Sequence, residues 1–215
     1  TVKNIPTGRI IYDAYDKLVI STGAKPFVPA IPGIECNNVF PLRNVRNADN
    51  ITRFIHEKQP QKALIIGAGF IGLEMADNLS HLGISVTLIE SAEHVMPSMD
   101  RDMAVYIEEH LKLKGVELFT NDSVKLIVGD GDRVFTENGK IIKTDMIIVA
   151  AGVRPNTDLV RDAGIRLGRH GGIIVNDKME TNIPDVYAVG DCCEVMSTVT
   201  GEYIYRPLGS TANKM

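Results

Sequence analysis

The sequence predicts an α/β fold in which a parallel β-sheet is covered by helices. Three observations predict it. Short apolar stretches alternate with amphipathic ones between residues 63 and 119, which is typical of strands alternating with helices. Glycines or polar turns separate most of these stretches. A later run, 124–142, lacks helical periodicity, and its Asp130-Gly131 and Asn138-Gly139 pairs favour the turns of an antiparallel meander.

The elements follow in order along the chain. Residues 8–23 predict two short strands, the second (Lys17–Ser21) apolar enough to be buried, and the prolines of 26–33 predict an irregular segment. A short helix is expected within 44–56. The alternating region has strands at 63–66, 85–90, 116–119 and 146–150, and helices at 70–82 and after residue 98.

The second of these helices has a clear polar start and an apolar face. Ser98 is predicted to cap it. Its apolar face is expected to be Met103, Ile107 and Leu111, and Gly115 to end it, as Gly83 ends the preceding helix.

Composition excludes several classes of protein. The 215 residues carry 23 Lys and Arg against 27 Asp and Glu, a net charge of −4 without the basic surface that nucleic acids require. No apolar run approaches the ~18 residues of a membrane span, and no secretory signal is expected. The three cysteines include no CxxC pair, which favours a reducing, cytoplasmic setting. The histidines show no metal-ligand spacing, so no metal is expected.

A glycine motif lies between the first predicted strand and helix of the alternating region. It reads Gly67-Ala68-Gly69-Phe70-Ile71-Gly72. The first glycine permits a tight turn, the second lets a pyrophosphate approach the backbone, and the third lets helix and strand pack closely. The N-terminus of the helix offers N–H groups and a positive dipole end to phosphates.

An acidic residue stands where such a site needs one. Glu90 ends the next strand, 21 positions after Gly69, and can accept hydrogen bonds from ribose hydroxyls. A chance glycine turn with a surface glutamate is the alternative, but the strand, helix and acid together favour a Rossmann-like dinucleotide site. No Lys or Arg occurs between Lys62 and Arg101, so NADH is expected in preference to NADPH.

Four segments together resemble the FAD-dependent pyridine nucleotide-disulfide oxidoreductases. Besides Gly67–Glu74, they are Ser21–Pro26, Ala151–Thr157 and Thr181–Asp191, and they occur in the family's order. The resemblance is greatest to the branch of coenzyme A-disulfide reductases, NADH oxidases and NADH peroxidases. It implies that Thr22, Gly23, Gly190 and Asp191 contact FAD, with the Asp191 carboxylate on the ribityl chain. Gly152 would belong to the second crossing between domains.

The same resemblance implies a domain plan. Residues 1–40 and 154–215 would be parts of a flavin domain, and 41–153 the NAD(P)H-binding domain. The family's redox cysteine and dimerisation domain do not match any segment here. The chain is therefore expected to be a fragment without a catalytic residue of its own and without turnover alone, from a parent that forms a homodimer.

Two further groups of residues have alternative interpretations. Phe70 and Glu74 lie four apart on one helix, and the resemblance implies that they face the nicotinamide; alternatively, Phe70 is a core aromatic and Glu74 a solvated charge. Cys192 and Cys193 adjoin Asp191, but the family's reactive cysteine is elsewhere. We interpret them, and Cys36, as inert small residues.

The resemblance implies an enzyme that transfers a hydride from NADH to FAD. The electrons would then pass to a disulfide such as coenzyme A disulfide, to oxygen or to peroxide. The alternative from another class is a non-catalytic, nicotinamide-responsive redox sensor. The second flavin motif favours the enzyme, because a sensor of NAD alone has no use for Asp191.

Overall fold

The chain forms two units in the computed structural model, which describes residues 1–215. One unit comprises Thr1–Lys25 with Val153–Met215, and the other comprises Pro26–Gly152. The second boundary lies within one residue of the expected one. The first lies before the proline-rich segment rather than after residue 40, because Ile31 and Ile34 of that segment pack into a core of the second unit.

The secondary structure is as follows. The helices are α1 (Val45–Lys58), α2 (Phe70–His81), α3 (Arg101–Leu113) and α4 (Gly209–Ala212), with a 3₁₀ turn at Arg161–Ala163. The strands are β1 (Val2–Lys3), β2 (Ile10–Ile11), β3 (Leu18–Ile20), β4 (Ala24–Pro26), β5 (Val39–Pro41), β6 (Lys62–Ile66), β7 (Ser85–Ile89), β8 (Glu117–Phe119), β9 (Val124–Val128), β10 (Arg133–Thr136), β11 (Ile141–Lys143), β12 (Met146–Val149), β13 (Val153–Pro155), β14 (Ile173–Ile174), β15 (Val186–Ala188), β16 (Cys193–Met196) and β17 (Tyr203–Ile204). None of the helices has the length and apolar character needed to cross a bilayer.

The unit Pro26–Gly152 is built on a five-stranded parallel sheet in the order β5-β12-β6-β7-β8. Strands β6, β7 and β8 are joined by α2 and α3, so the predicted alternation of strands and helices is confirmed. The return of β12 beside β6 is confirmed as well. Strand β5 adds an edge that the sequence did not predict.

The central strands β6 and β12 are apolar because both faces of the sheet are covered. Ala63 and Ile65 of β6 face the core shared with the helices, whereas Leu64 and Ile66 belong to a second core on the opposite face. In a strand, successive side chains point to opposite faces. A parallel sheet buried on both faces therefore needs an unbroken apolar run.

Each face has its own covering layer. Buried residues of α1, α2 and α3 all join the first core, so the three helices lie on one face. Strands β9, β10 and β11 form the predicted antiparallel meander and contribute Val124, Ile127, Val134 and Ile142 to the second core. Gly131 and Gly139 stand in its turns with φ of 87° and 79°, a region that glycine adopts without strain.

The predicted N-cap of α3 was wrong, and its predicted apolar face was right for two of three residues. Asp100, not Ser98, is the N-cap, and its side chain makes no capping hydrogen bond. Leu111 is buried and Ile107 packs against the first core, as predicted, but Ala104 rather than Met103 shares this face, and Met103 is 55% exposed. For α1, Asn44 and Asn47 form a reciprocal capping box, which fixes the helix start.

The other unit consists of small sheets around a core of its own. Strand β3 pairs in parallel with β15, β14–β16–β17 form a second sheet, and β4 pairs with β13. The predicted burial of residues 17–21 was wrong in part. Ile20 is buried, but Leu18 and Val19 are exposed, because β3 pairs with β15 alone and places only Ile20 in this core.

Candidate dinucleotide site

The turn between β6 and α2 requires glycine at its first position. Gly67 has φ of 104°, a conformation that side chains rarely adopt. Its N–H donates to Ile89 O at 2.8 Å, and a Cβ here would lie 2.4 Å from Ala150 O. The turn therefore fits between the ends of β7 and β12 only when residue 67 lacks a side chain.

The two other glycines of the motif have different roles. Gly72 lies in the first turn of α2, and a Cβ there would stand 2.0 Å from Gly67 O. It lets the helix pack against the turn. Gly69 is the N-cap of α2 and has no atom within 4 Å of a would-be Cβ, so its backbone faces open space. The first N–H groups of a helix have no intrahelical acceptor, so this end of α2 can bind an anion.

Glu90 lies beside this turn and is held by main-chain donors. Its Oε2 accepts from Ala68 N at 2.7 Å, and its Oε1 accepts from Ala92 N at 2.8 Å. The residue is 8% exposed. Ser91 Oγ also donates to Oε1, at 3.2 Å. A carboxylate has about four acceptor positions, so Glu90 is oriented mainly by the backbone and keeps capacity for a further donor.

A cavity of about 490 Å³ opens at the carboxyl edge of the parallel sheet. Gly67, Gly69, Glu90 and Gly152, all predicted site residues, line it. The others in its wall are Phe27, Pro29, Ile31, Ile66, Ile89, Ser91, Pro97, Asp122, Ser123, Val124, Ala150 and Ala151. Open α/β sheets bind ligands at this edge.

The cavity wall contains acids but no cations. Glu90 and Asp122 line it, and no Lys, Arg or His does. Asp122 is buried; its Oδ1 accepts from Ser123 N and Asn138 N, while its Oδ2 has no partner. Arg101, at the start of α3, is paired with the Glu93 carboxylate at 3.0 Å. The electrostatic field of the site is therefore negative beside Glu90.

The remaining predicted residues of this motif differ in their exposure to solvent. Ala68 is buried and Ile71 half-buried, whereas Phe70 is 54% exposed and Glu74 is exposed. Neither Phe70 nor Glu74 lines the cavity. The interpretation of Phe70 as a core aromatic was wrong, since an aromatic side chain of the core would be covered.

Sequence reasoning missed several residues of the cavity wall. Pro29 and Ile31 come from the proline-rich segment, and Asp122 and Val124 from the start of the meander. The prolines predicted an irregular segment but gave no sign of what it covers. The only signal for Asp122 was its position shortly after the third strand, at the edge where ligands bind.

The predicted flavin residues all lie in the unit formed by Thr1–Lys25 and Val153–Met215. Because β3 and β15 are parallel, Thr22 and Gly23 follow one strand and Gly190 and Asp191 the other at the same edge. Thr22 Oγ1 donates to Asn156 O at 2.6 Å. Gly190 has φ of 80°, and the nearest atoms to a would-be Cβ are 3.9 Å away. The turn therefore needs glycine and leaves its backbone approachable.

The two adjacent cysteines are buried, at 0% and 4% exposure, with their Sγ atoms 3.7 Å apart. A hydrogen bond from Cys193 lowers the pKa of Cys192 to about 6. The carbonyl oxygens of Val189 and Ile20, 3.2 Å and 3.7 Å from Cys192 Sγ, favour its protonated form instead. The same bond and burial raise the pKa of Cys193. Such covered thiols are poor nucleophiles, and their inertness stays a prediction.

A parallel sheet with a glycine turn, an acid at the end of the next strand and a cavity at its carboxyl edge defines a dinucleotide-binding protein of the Rossmann type. Comparison with known proteins identifies the family. The pyridine nucleotide-disulphide oxidoreductase family matches residues 7–203, so the chain belongs to this family of enzymes.

Individual relatives agree with this assignment. The chain is 41% identical to an NADH oxidase of Methanocaldococcus jannaschii, over 92% of the chain and 44% of that protein. It is 38% identical to a coenzyme A disulfide reductase of Staphylococcus aureus, over 89% of the chain and 42% of that protein. The crystal structure of reduced CoADR-RHD of Bacillus anthracis superposes with a TM-score of 0.94 at 46% identity, over 99% of the chain and 38% of that protein. The chain thus spans less than half the length of these relatives.

Proposed function

We propose that the unit Pro26–Gly152 binds NADH in the cavity described above. One observation carries the proposal: the Glu90 carboxylate is fixed on Ala68 N–H, within the glycine turn itself. A pyrophosphate at the N-terminus of α2 would therefore have, in the wall of the same cavity, an oriented acceptor for the ribose hydroxyls of the same dinucleotide.

The charges of the cavity favour NADH over NADPH. The additional 2′-phosphate of NADPH would meet the Glu90 carboxylate, and no cation of the wall is there to offset the repulsion. Arg101 is already paired with Glu93. On the order of 1–3 kcal/mol of discrimination follows, about tenfold to a hundredfold in favour of NADH.

The flavin site belongs to the other unit in this proposal. Thr22, Gly23, Gly190 and Asp191 stand at the shared edge of two parallel strands, and Gly190 leaves its backbone open to approach. These features fit a bound FAD, with the Asp191 side chain on its ribityl hydroxyls. When bound, FAD would supply the group that accepts the hydride of NADH.

The whole protein would then be an oxidoreductase of the electron-transfer type. Phe70, at the exposed start of α2, and Glu74, one turn further, would face the nicotinamide end of the cofactor. The final acceptor would be a disulfide such as coenzyme A disulfide, oxygen or peroxide. A cytoplasmic homodimer is the form that we expect for the parent.

Calorimetric titration of the chain with NADH and NADPH tests the nucleotide proposal. Glu90→Ala should weaken NADH binding by about tenfold or more, because it removes an oriented charged acceptor worth at least about 1.4 kcal/mol. It should weaken NADPH binding less, since it also removes the repulsion of the 2′-phosphate.

Glu109→Ala is the control, because Glu109 is an exposed acid of the same unit that does not line the cavity. It should leave both affinities unchanged. Equal or tighter binding of NADPH to the unmodified chain would contradict the proposed preference. Absence of NADH binding would contradict the site itself.

A further inference from the structure

Met96 has a backbone conformation that its residue type disfavours. Its φ is 48°, in the left-handed region that a bulky side chain rarely adopts. It also precedes Pro97, and the residue before a proline is normally extended. Residues in such conformations persist only where their surroundings hold them, and they cluster at functional sites.

The surroundings of Met96 hold it from two directions. Its side chain is 2% exposed and the neighbouring Val95 is 0% exposed, so the turn is anchored in the protein interior. Its N–H donates to Ala68 O at 2.8 Å, and its carbonyl accepts from Met99 N at 2.8 Å. The left-handed conformation of Met96 therefore brings the chain back to the glycine turn that follows β6.

The bond to Ala68 closes a ring of contacts. Glu90 accepts from Ala68 N–H at 2.7 Å, and Met96 donates to Ala68 O at 2.8 Å. Both main-chain groups of one glycine-turn residue are thus bound by the two ends of the loop 90–96. Ser91 and Pro97, at either end of this loop, line the cavity.

We propose that Met96 is a positioning residue for the adenosine half of the dinucleotide. Its strained, buried turn fixes the loop 90–96 on Ala68 before ligand arrives, so that the Glu90 carboxylate and the cavity wall are already in place. Ordering these groups in advance removes a cost that binding would otherwise carry. This inference rests on the dinucleotide site proposed above.

Met96→Gly tests the proposal, since glycine tolerates the φ but removes the buried anchor. ADP-ribose, which is NADH without its nicotinamide ring, is the probe. We expect its dissociation constant to rise by about fivefold or more, because the loop must now be ordered on binding. Met96→Leu keeps a buried apolar side chain at this position and should therefore bind ADP-ribose as tightly as the unmodified chain.

Met179→Gly is a matched control. Met179 also has a positive φ, 62°, and packs in the core of the other unit. This variant should lose stability without losing affinity for ADP-ribose. Unaltered ADP-ribose affinity in Met96→Gly would overturn the proposal, as would a loss of equal size in Met179→Gly.

Hydrogen exchange of the unliganded, unmodified chain gives a readout that needs no variant. The Ala68 and Met96 amides should be protected before any nucleotide is added, whereas the amides of the exposed residues Ile5 and Tyr12 should exchange rapidly. Fast exchange at Ala68 and Met96 would overturn the proposal. Failure of ADP-ribose and NADH to bind the unmodified chain would instead contradict the proposed function, and the exchange result would still decide whether the ring of contacts forms.

Discussion

Gly69→Ala should weaken NADH binding and leave the stability of the fold nearly unchanged, whereas Gly72→Ala should lower that stability. At Gly69 the backbone is extended, with φ of −82°, and the added Cβ meets nothing within 4 Å. Unfolding free energy should therefore change by no more than about 0.5 kcal/mol. NADH affinity should fall about tenfold or more, equivalent to about 1.4 kcal/mol, because the methyl group occupies the approach of the pyrophosphate.

At Gly72 the added Cβ would lie 2.0 Å from Gly67 O and 3.0 Å from Gly67 C. Overpacking costs about 1–3 kcal/mol, and the upper end applies because the atoms met belong to the backbone. Alanine has a helix propensity about 1 kcal/mol better than glycine. The net loss is therefore about 2 kcal/mol, which lowers Tm by about 4–8 °C in a chain of this length.

Thermal unfolding followed by circular dichroism and titration with NADH, each on both variants, measure the two effects. The result that would refute this reasoning is a Gly69→Ala variant that loses as much stability as Gly72→Ala. Normal NADH affinity in Gly69→Ala would equally refute the assignment of its open backbone to the pyrophosphate.

Two further predictions concern the other unit. Glu194 is fully buried, and its Oε1 accepts from His170 N and Gly172 N. Glu194→Leu should lower the unfolding free energy, measured by denaturant titration, by about 1–3 kcal/mol, because two donors lose their acceptor. Glu194→Gln should lower it less. Lys25→Met should raise the pKa of Asp158, which the Lys25 hydrogen bond and charge hold below 3.8, and NMR titration of the carboxyl carbon would measure it. Because the folded pKa is lowered, this pair contributes to stability above about pH 4 and loses that contribution as the pH falls through the lowered pKa; an unshifted Asp158 in the variant would contradict the pairing.

Sequence reasoning predicted the sheet well because its strands and helices differ in period. The run Lys62–Ile66 and the glycine that follows it are local signals, and so is the spacing of apolar residues in α2. The start of α3 could not be predicted in the same way. Ser98 and Asp100 are both good N-cap residues, and the choice between them depends on the turn around Met96, which no local pattern encodes.

The site was predictable only where it follows regular elements. Glu90 and Gly67 come directly after strands, and Gly69 and Gly72 begin the helix that follows, so their position at the sheet edge follows from the alternation. Pro29, Ile31 and Asp122 come from segments without periodicity, and their place in the wall depends on long-range packing. The division of the chain at Pro26 is also a property of packing, since Ile31 and Ile34 join the second core.

The apolar character of β6 on both faces has a consequence for how the strand finds its place. Where one face is polar, a slip of one residue exposes the core side chains and is strongly penalised. Leu64 and Ile65 would both remain buried after such a slip, so hydrophobicity selects the alignment only weakly. Polar contacts at the strand ends can: Asp145 Oδ2 accepts from Gln61 N at 2.8 Å and from Lys62 N at 2.9 Å, ahead of β12. The Asp145 carboxylate, at the edge opposite the cavity, thus sets the register of β6 against β12. The same register determines where the chain leaves the sheet at Gly67.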